Sequence, residues 1–167
     1  MRKAVRVLLQ LLVPLALFHA FPAAAAAEGQ STWQQIQERG VLRVGLPGDY
    51  APYALVGTEG PQGIDVALVR EIAATLGLGV EFVQTSWGSL MADAQAGQFD
   101  VAAGGISVTA ERLREQRFTR AYLRDHKAPL VRCGEEANYD SLREINAPGV
   151  RAVVNPGGTN ERFARRE

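Results

Sequence analysis

Between residues 32 and 105 short β-branched runs alternate with helical segments, and a glycine closes nearly every one of them. Residues 32–39, with Thr32 as N-cap and Gln35 at the capping-box position, read as a helix ended by Gly40. Val41-Leu42-Arg43-Val44 reads as a strand, and Gly45 to Tyr50 as a glycine- and proline-bearing loop. Val66, Val69, Ile72, Ala73 and Leu76 recur at helical spacing before Gly77. Val80 to Val83 is strand-like, Ser89 to Ala96 is a short helix ended by Gly97, and Asp100 to Ala103 is a buried-type strand running into Gly104-Gly105. Such alternation predicts an α/β fold with a parallel sheet, because parallel strands need helical crossovers and bind ligands at their C-terminal ends. The loops 45–50 and 104–109 are then expected side by side on one edge.

From Lys127 the pattern starts again. Ala128 to Val131 reads as a strand, Ser141 to Ile145 as a short helix, and Val150 to Val154 as a second strand. This predicts a lobe boundary near residues 123–130. The second strand runs into Pro156-Gly157-Gly158, with Thr159 and Asn160 offering caps to a helix starting at Glu161. A strand, a glycine turn and a helix N-terminus make an anion site where backbone N–H groups lack partners. The chain stops at Glu167, two turns into that helix, which is marginal without something to pack on. The second lobe is therefore expected to be incomplete here.

Arg2, Lys3 and Arg6 precede an apolar run from Val7 to Phe18 and an Ala25-Ala26-Ala27 cleavage site, so residues 1–27 read as a secretory signal peptide. Its removal takes three of 18 basic and none of 18 acidic residues, leaving 140 residues with a net charge of −3. That balance excludes a nucleic-acid surface or a polybasic membrane patch. Cys133 is the only cysteine and His126 the only histidine after residue 27, too few for a zinc site of Cys/His type. Cys133 is either a buried free thiol or the half of a disulfide whose partner lies beyond Glu167.

The candidate ligand residues lie on the predicted loops. Arg112 follows a glycine loop and a capping Thr109; it either grips a carboxylate bidentately, helped by N–H groups around Gly105 and Ser107, or is a solvated helix arginine like Arg114 and Arg117. Asp49 and Tyr50 follow the first strand as ligand contacts or as ordinary turn formers. Trp87 either walls an apolar pocket or packs in the core. Lys127 reaches into a cleft or faces water, and Asn155 presents its amide to a ligand or merely starts a turn. Gly157-Gly158 is no phosphate loop, since no Lys-Ser/Thr follows.

The order of GDYAPY, GIDVALVREIAATLG, TSWGSLM, FDVAAGGISVTAER, FTRAYL and GVRAVVNPGGTNERFA resembles the periplasmic solute-binding proteins of the amino-acid-binding type. Within them, GDY, TSW, YLRDHK, CGEEA and NPGGTNERFA resemble most closely the exported cyclohexadienyl dehydratases, with NPGGTNERFA the discriminating element. The resemblance implies a type II binding-protein fold of two α/β lobes around a cleft. A first lobe would span residues 28–126, and the hinge and the start of the second lobe residues 127–167. It implies a periplasmic enzyme converting prephenate or arogenate to phenylpyruvate or phenylalanine, without cofactor or metal. Arg112 would be the main carboxylate ligand, supported by the Gly105 backbone and the Ser107 hydroxyl. Asp49, Tyr50 and Trp87 would line the pocket from the first lobe. Lys127 and Asn155 would be catalytic, with Thr159 and Asn160 closing the site from the second lobe. The family's general-acid glutamate would fall beyond Glu167. The alternative is a non-catalytic amino-acid receptor, whose partner would be a transporter permease.

Overall fold

The computed structural model describes residues 31–167, so the proposed signal peptide lies outside the described residues. Helix α1 (Thr32–Arg39) spans the expected residues, with its cap one residue earlier than expected. Ser31 is its N-cap and Gln34 completes the capping box, because Ser31 rather than Thr32 holds extended backbone angles. Gly40 ends it in the left-handed region at φ 68°. Strand β1 (Val41–Leu46) follows and pairs in parallel with β5 (Gly79–Gln84) on one side and with β6 (Val101–Ala102) on the other. Helix α2 (Ile64–Thr75) is the long crossover between β1 and β5. Helix α3 (Leu90–Gln95) connects β5 to β6.

One face of this sheet carries the core. Leu42, Val44 and Leu46 of β1 meet Val66, Val69 and Ala73 of α2, with Ile36 of α1 and the half-buried Val80 and Phe82 of β5 alongside. Each fully buried aliphatic side chain here contributes about 1.5–3 kcal/mol of transfer free energy. The expectation of a buried β6 is corrected, since Val101 and Ala102 are exposed on this edge strand. The 45–50 segment is corrected too. Residues expected as loop contribute the end of β1 and then β2 (Asp49–Tyr50), which pairs antiparallel with β3 (Ala54–Gly57), itself paired with β4 (Gly60–Gln62).

Beyond β6 come α4 (Arg112–Glu115), a 3₁₀ turn at Glu136–Asn138, α5 (Leu142–Ile145) and α6 (Thr159–Arg166). The helix expected near Ser141 forms, with Ser141 and Glu144 in a reciprocal capping box. The strands expected at 128–131 and 150–154 do not form. A strand's N–H and C=O groups need a neighbouring strand, and neither run has one among the described residues; Leu130 is 99% and Val153 94% exposed. Thr159 and Asn160 lie inside α6 rather than before it, with Gly158 at the N-cap. Cys133 is an exposed free thiol, which corrects the expectation of a buried one.

Candidate functional site

The parallel register of β1, β5 and β6 brings three C-terminal strand ends to one edge, and most of the candidates stand there. Asp49 and Tyr50 follow β1, Trp87 follows β5, and the Gly104–Arg112 segment follows β6. The indole Nε1 of Trp87 donates to Asp49 Oδ1 at 2.7 Å. Tyr50 meets the Trp87 ring edge-on at 6.1 Å between centroids. Arg112 is 3% exposed, and its guanidinium carbon lies 6.0 Å from the Trp87 ring centroid. Its Nη1 donates to the Ser107 carbonyl at 3.0 Å, and its backbone N–H to Thr109 Oγ1 at 3.2 Å. Thr109 was expected at the N-cap; the N-cap of α4 is Glu111, and Thr109 accepts from Arg112 three residues on. Burial lowers the pKa of this arginine, and none of the ion pairs among the described residues includes it. A desolvated cation without a carboxylate partner suits an anionic ligand, because burying such a charge unpaired is costly.

Gly105 plays a different part from the one expected. Its N–H donates to Asp65 Oδ2 at 2.7 Å, as does that of Gly104 at 2.8 Å, so neither is free for a ligand. Gly105 adopts φ 70°, and a Cβ there would lie 2.6 Å from the Tyr50 ring. Asp65, 1% exposed in the first turn of α2, was not singled out by sequence. Its only signal is an acidic residue inside GIDV, an apolar context where a carboxylate must find donors. Its second oxygen, Oδ1, is buried without a hydrogen-bond partner.

The 155–160 segment lies against the same edge. Asn155 Nδ2 donates to Asp49 Oδ2 at 2.6 Å. Gly157, at φ 77°, rests on the chain at Gly88, where a Cβ would lie 2.6 Å from the Gly88 nitrogen, and Gly158 faces the Trp87 ring. The anion site expected at this turn is partly filled from within: the Gly157 N–H donates to Glu161 Oε2 at 2.6 Å. That bond, reinforced by Arg165, holds the Glu161 carboxyl below its usual range. At the start of α6, Lys127 Nζ donates to Thr159 Oγ1 at 3.1 Å and to Asn160 Oδ1. Partial burial lowers the pKa of Lys127, with Asp125 acting in the opposite sense. Asp49, Trp87, Arg112 and Asn155 thus form one group, and Lys127, Thr159 and Asn160 a second, joined through the glycine turn.

Comparison with known proteins follows this geometry. Residues 42–159 match the model for bacterial extracellular solute-binding proteins, family 3. The chain is 46% identical over 167 residues to the cyclohexadienyl dehydratase of Pseudomonas aeruginosa, covering 99% of this chain and 61% of that protein. A probable amino-acid ABC transporter-binding protein of Haemophilus influenzae is 37% identical over 53% of this chain and 35% of its own length. Among solved structures, an ancestral cyclohexadienyl dehydratase is 47% identical with a TM-score of 0.56, covering 81% of this chain and 57% of that one. An ancestral amino acid-binding protein, described as a precursor of cyclohexadienyl dehydratase, is 34% identical with a TM-score of 0.77 over 81% of this chain and 60% of that one. The chain therefore spans about three fifths of the length of the Pseudomonas aeruginosa protein and of the two ancestral ones. The parallel sheet, its crossover helices and these matches agree with the expected type II fold, and the chain belongs to the bacterial extracellular solute-binding proteins of family 3.

Proposed function

We propose that this chain serves in a cyclohexadienyl dehydratase of the periplasm, exported by the leader at residues 1–27. The reaction converts prephenate, arogenate or both to phenylpyruvate or phenylalanine. The observation that carries this reading is the 46% identity to a protein of that name, sustained along 99% of the chain. In this reading the first lobe spans residues 28–126 and the second begins at Lys127.

The chemistry needs orientation more than it needs reactive groups. The bond from the ring to its carboxylate breaks, the electron pair moves into the ring, and the ring hydroxyl leaves as water once protonated. Aromatisation drives the reaction. Arg112 fixes one substrate carboxylate by a charged hydrogen-bonded pair, in a site where burial makes that pair strong. Trp87 and Tyr50 wall the ring, with Asp49 setting the indole's orientation. Lys127 and Asn155 act on the reacting end, supplying donors where charge develops, and Thr159 and Asn160 hold Lys127 there. Gly105 and Ser107 support Arg112 through the loop backbone.

A second reading is favoured by one observation, the TM-score of 0.77 to an ancestral amino acid-binding protein. On that reading the same arginine clamps an amino-acid carboxylate, and the partner is a transporter permease. Ultraviolet assay of phenylpyruvate formation from prephenate by the intact protein separates the two. Turnover supports the dehydratase, and amino-acid binding without turnover supports the receptor.

A further inference from the structure

Residues 117–131 cross from α4 to the turn at Cys133 without a helix, a strand or a backbone–backbone hydrogen bond among the described residues. Lys127 stands on this crossing, so side chains must set where its ammonium sits. One long-range hydrogen bond does so. Tyr53 Oη donates to Asp125 Oδ2 at 2.8 Å, two residues before Lys127. Both partners are themselves held. Tyr53 is buried, its ring lies 5.0 Å from that of Tyr50, and its carbonyl accepts from the Asp65 N–H at 3.0 Å. Asp125 spends its other oxygen on the His126 N–H at 2.7 Å, which fixes the carboxylate against its own backbone.

We propose that Tyr53 is a positioning residue: by holding Asp125, its hydroxyl fixes the crossing so that Lys127 reaches Thr159 and Asn160. The inference rests on the reading of Lys127 as a working part of the site. Lysine is flexible over four side-chain bonds, and a free crossing would add backbone freedom to that, diluting the productive geometry. Asp125 pushes the Tyr53 phenol up to about 12, so the donor keeps its proton across the physiological range. The Tyr53 bond is also the main cause of the lowered Asp125 carboxyl, which keeps the bond charge-assisted.

The test uses Tyr53→Phe, which removes one oxygen and leaves the ring packing intact, with Asp125→Ala and the double variant, all in the intact protein. Two readouts need no activity: trypsin cleavage after Arg124 and Lys127, and acetylation of Lys127 followed by peptide mass. Each single variant should raise both rates at least about threefold, and the double variant should add little to either, since they break one interaction. On prephenate, each should lower kcat by about five- to tenfold with KM within about twofold, as expected for lost positioning of a group that acts at the reacting end. Wild-type cleavage and labelling in Tyr53→Phe, or fully additive effects in the double variant, would overturn the proposal. Raised labelling and cleavage in the variants, with no turnover by the wild type, would uphold the positioning contact and remove the dehydratase reading instead.

Discussion

Asn155 and Asp49, 106 residues apart in the chain, meet through a 2.6 Å hydrogen bond from the amide to the carboxylate. The other Asp49 oxygen takes the Trp87 indole, so one carboxylate holds both the Trp87 ring and the 155–160 segment. Asn155→Asp would put a second carboxylate against the first, and like charges at that distance cannot both ionise comfortably. The 155–160 segment should then lift from Trp87 at neutral pH and return as pH falls. Indole fluorescence in a Trp33→Phe background would follow it. A pH-independent spectrum matching that of Asn155 would contradict the contact.

Arg112→Ala should weaken carboxylate binding by about 2–5 kcal/mol, the usual cost of removing one side of a desolvated charged pair. Arg114→Ala, on an exposed neighbour, should change it little. Titration calorimetry with prephenate gives both numbers, and equal affinities for the two variants would remove Arg112 from the clamp.

Asp65→Ala strands the N–H groups of Gly104 and Gly105, which now donate to one buried oxygen. An unsatisfied buried donor costs about 1–3 kcal/mol, so the variant should lose at least that much by urea unfolding. Asp65→Asn keeps an acceptor and should lose less. Equal losses would show that charge, and not acceptance, is what the loop needs.

How much of this was legible follows from range along the chain. Val66, Val69 and Ala73 on α2, and the alternating partners on β1, carry their burial in local periodicity, so the parallel sheet could be read directly. The 49–62 sheet could not, because β2 has two residues and β4 contains Gly60 and Pro61, too short and too broken for a period to show. Asp65 carries no local sign of its partners, the N–H groups 39 and 40 residues away. Tyr53 and Asp125, 72 residues apart, carry no local mark at all. At 128–131 and 150–154 the apolar runs predict strands that do not form, because pairing is a tertiary property that no run of valines supplies by itself.

Asp100 gives the pH prediction. Burial alone would raise its carboxyl, but hydrogen bonds from the Arg43 side chain and backbone, with the charges of Arg43 and Arg39, bring it below the ordinary 3.8. A carboxylate depressed in the folded state binds protons more readily when unfolded. Its stabilisation is therefore fully present above about pH 4 and is lost as pH falls through the lower folded value. Asp100→Asn should flatten the acid side of the stability curve, measured as urea midpoints from pH 7 down to about pH 2.5. An unchanged acid slope would place the sensitivity elsewhere.

The central claim is tested most directly by offering the intact protein prephenate and a panel of amino acids under one set of conditions, following phenylpyruvate by absorbance and binding by calorimetry. The account predicts steady phenylpyruvate release over many turnovers, strongly reduced in both Arg112→Ala and Lys127→Ala. Stoichiometric amino-acid binding with no phenylpyruvate above the uncatalysed rate would contradict it and leave a receptor in place of an enzyme.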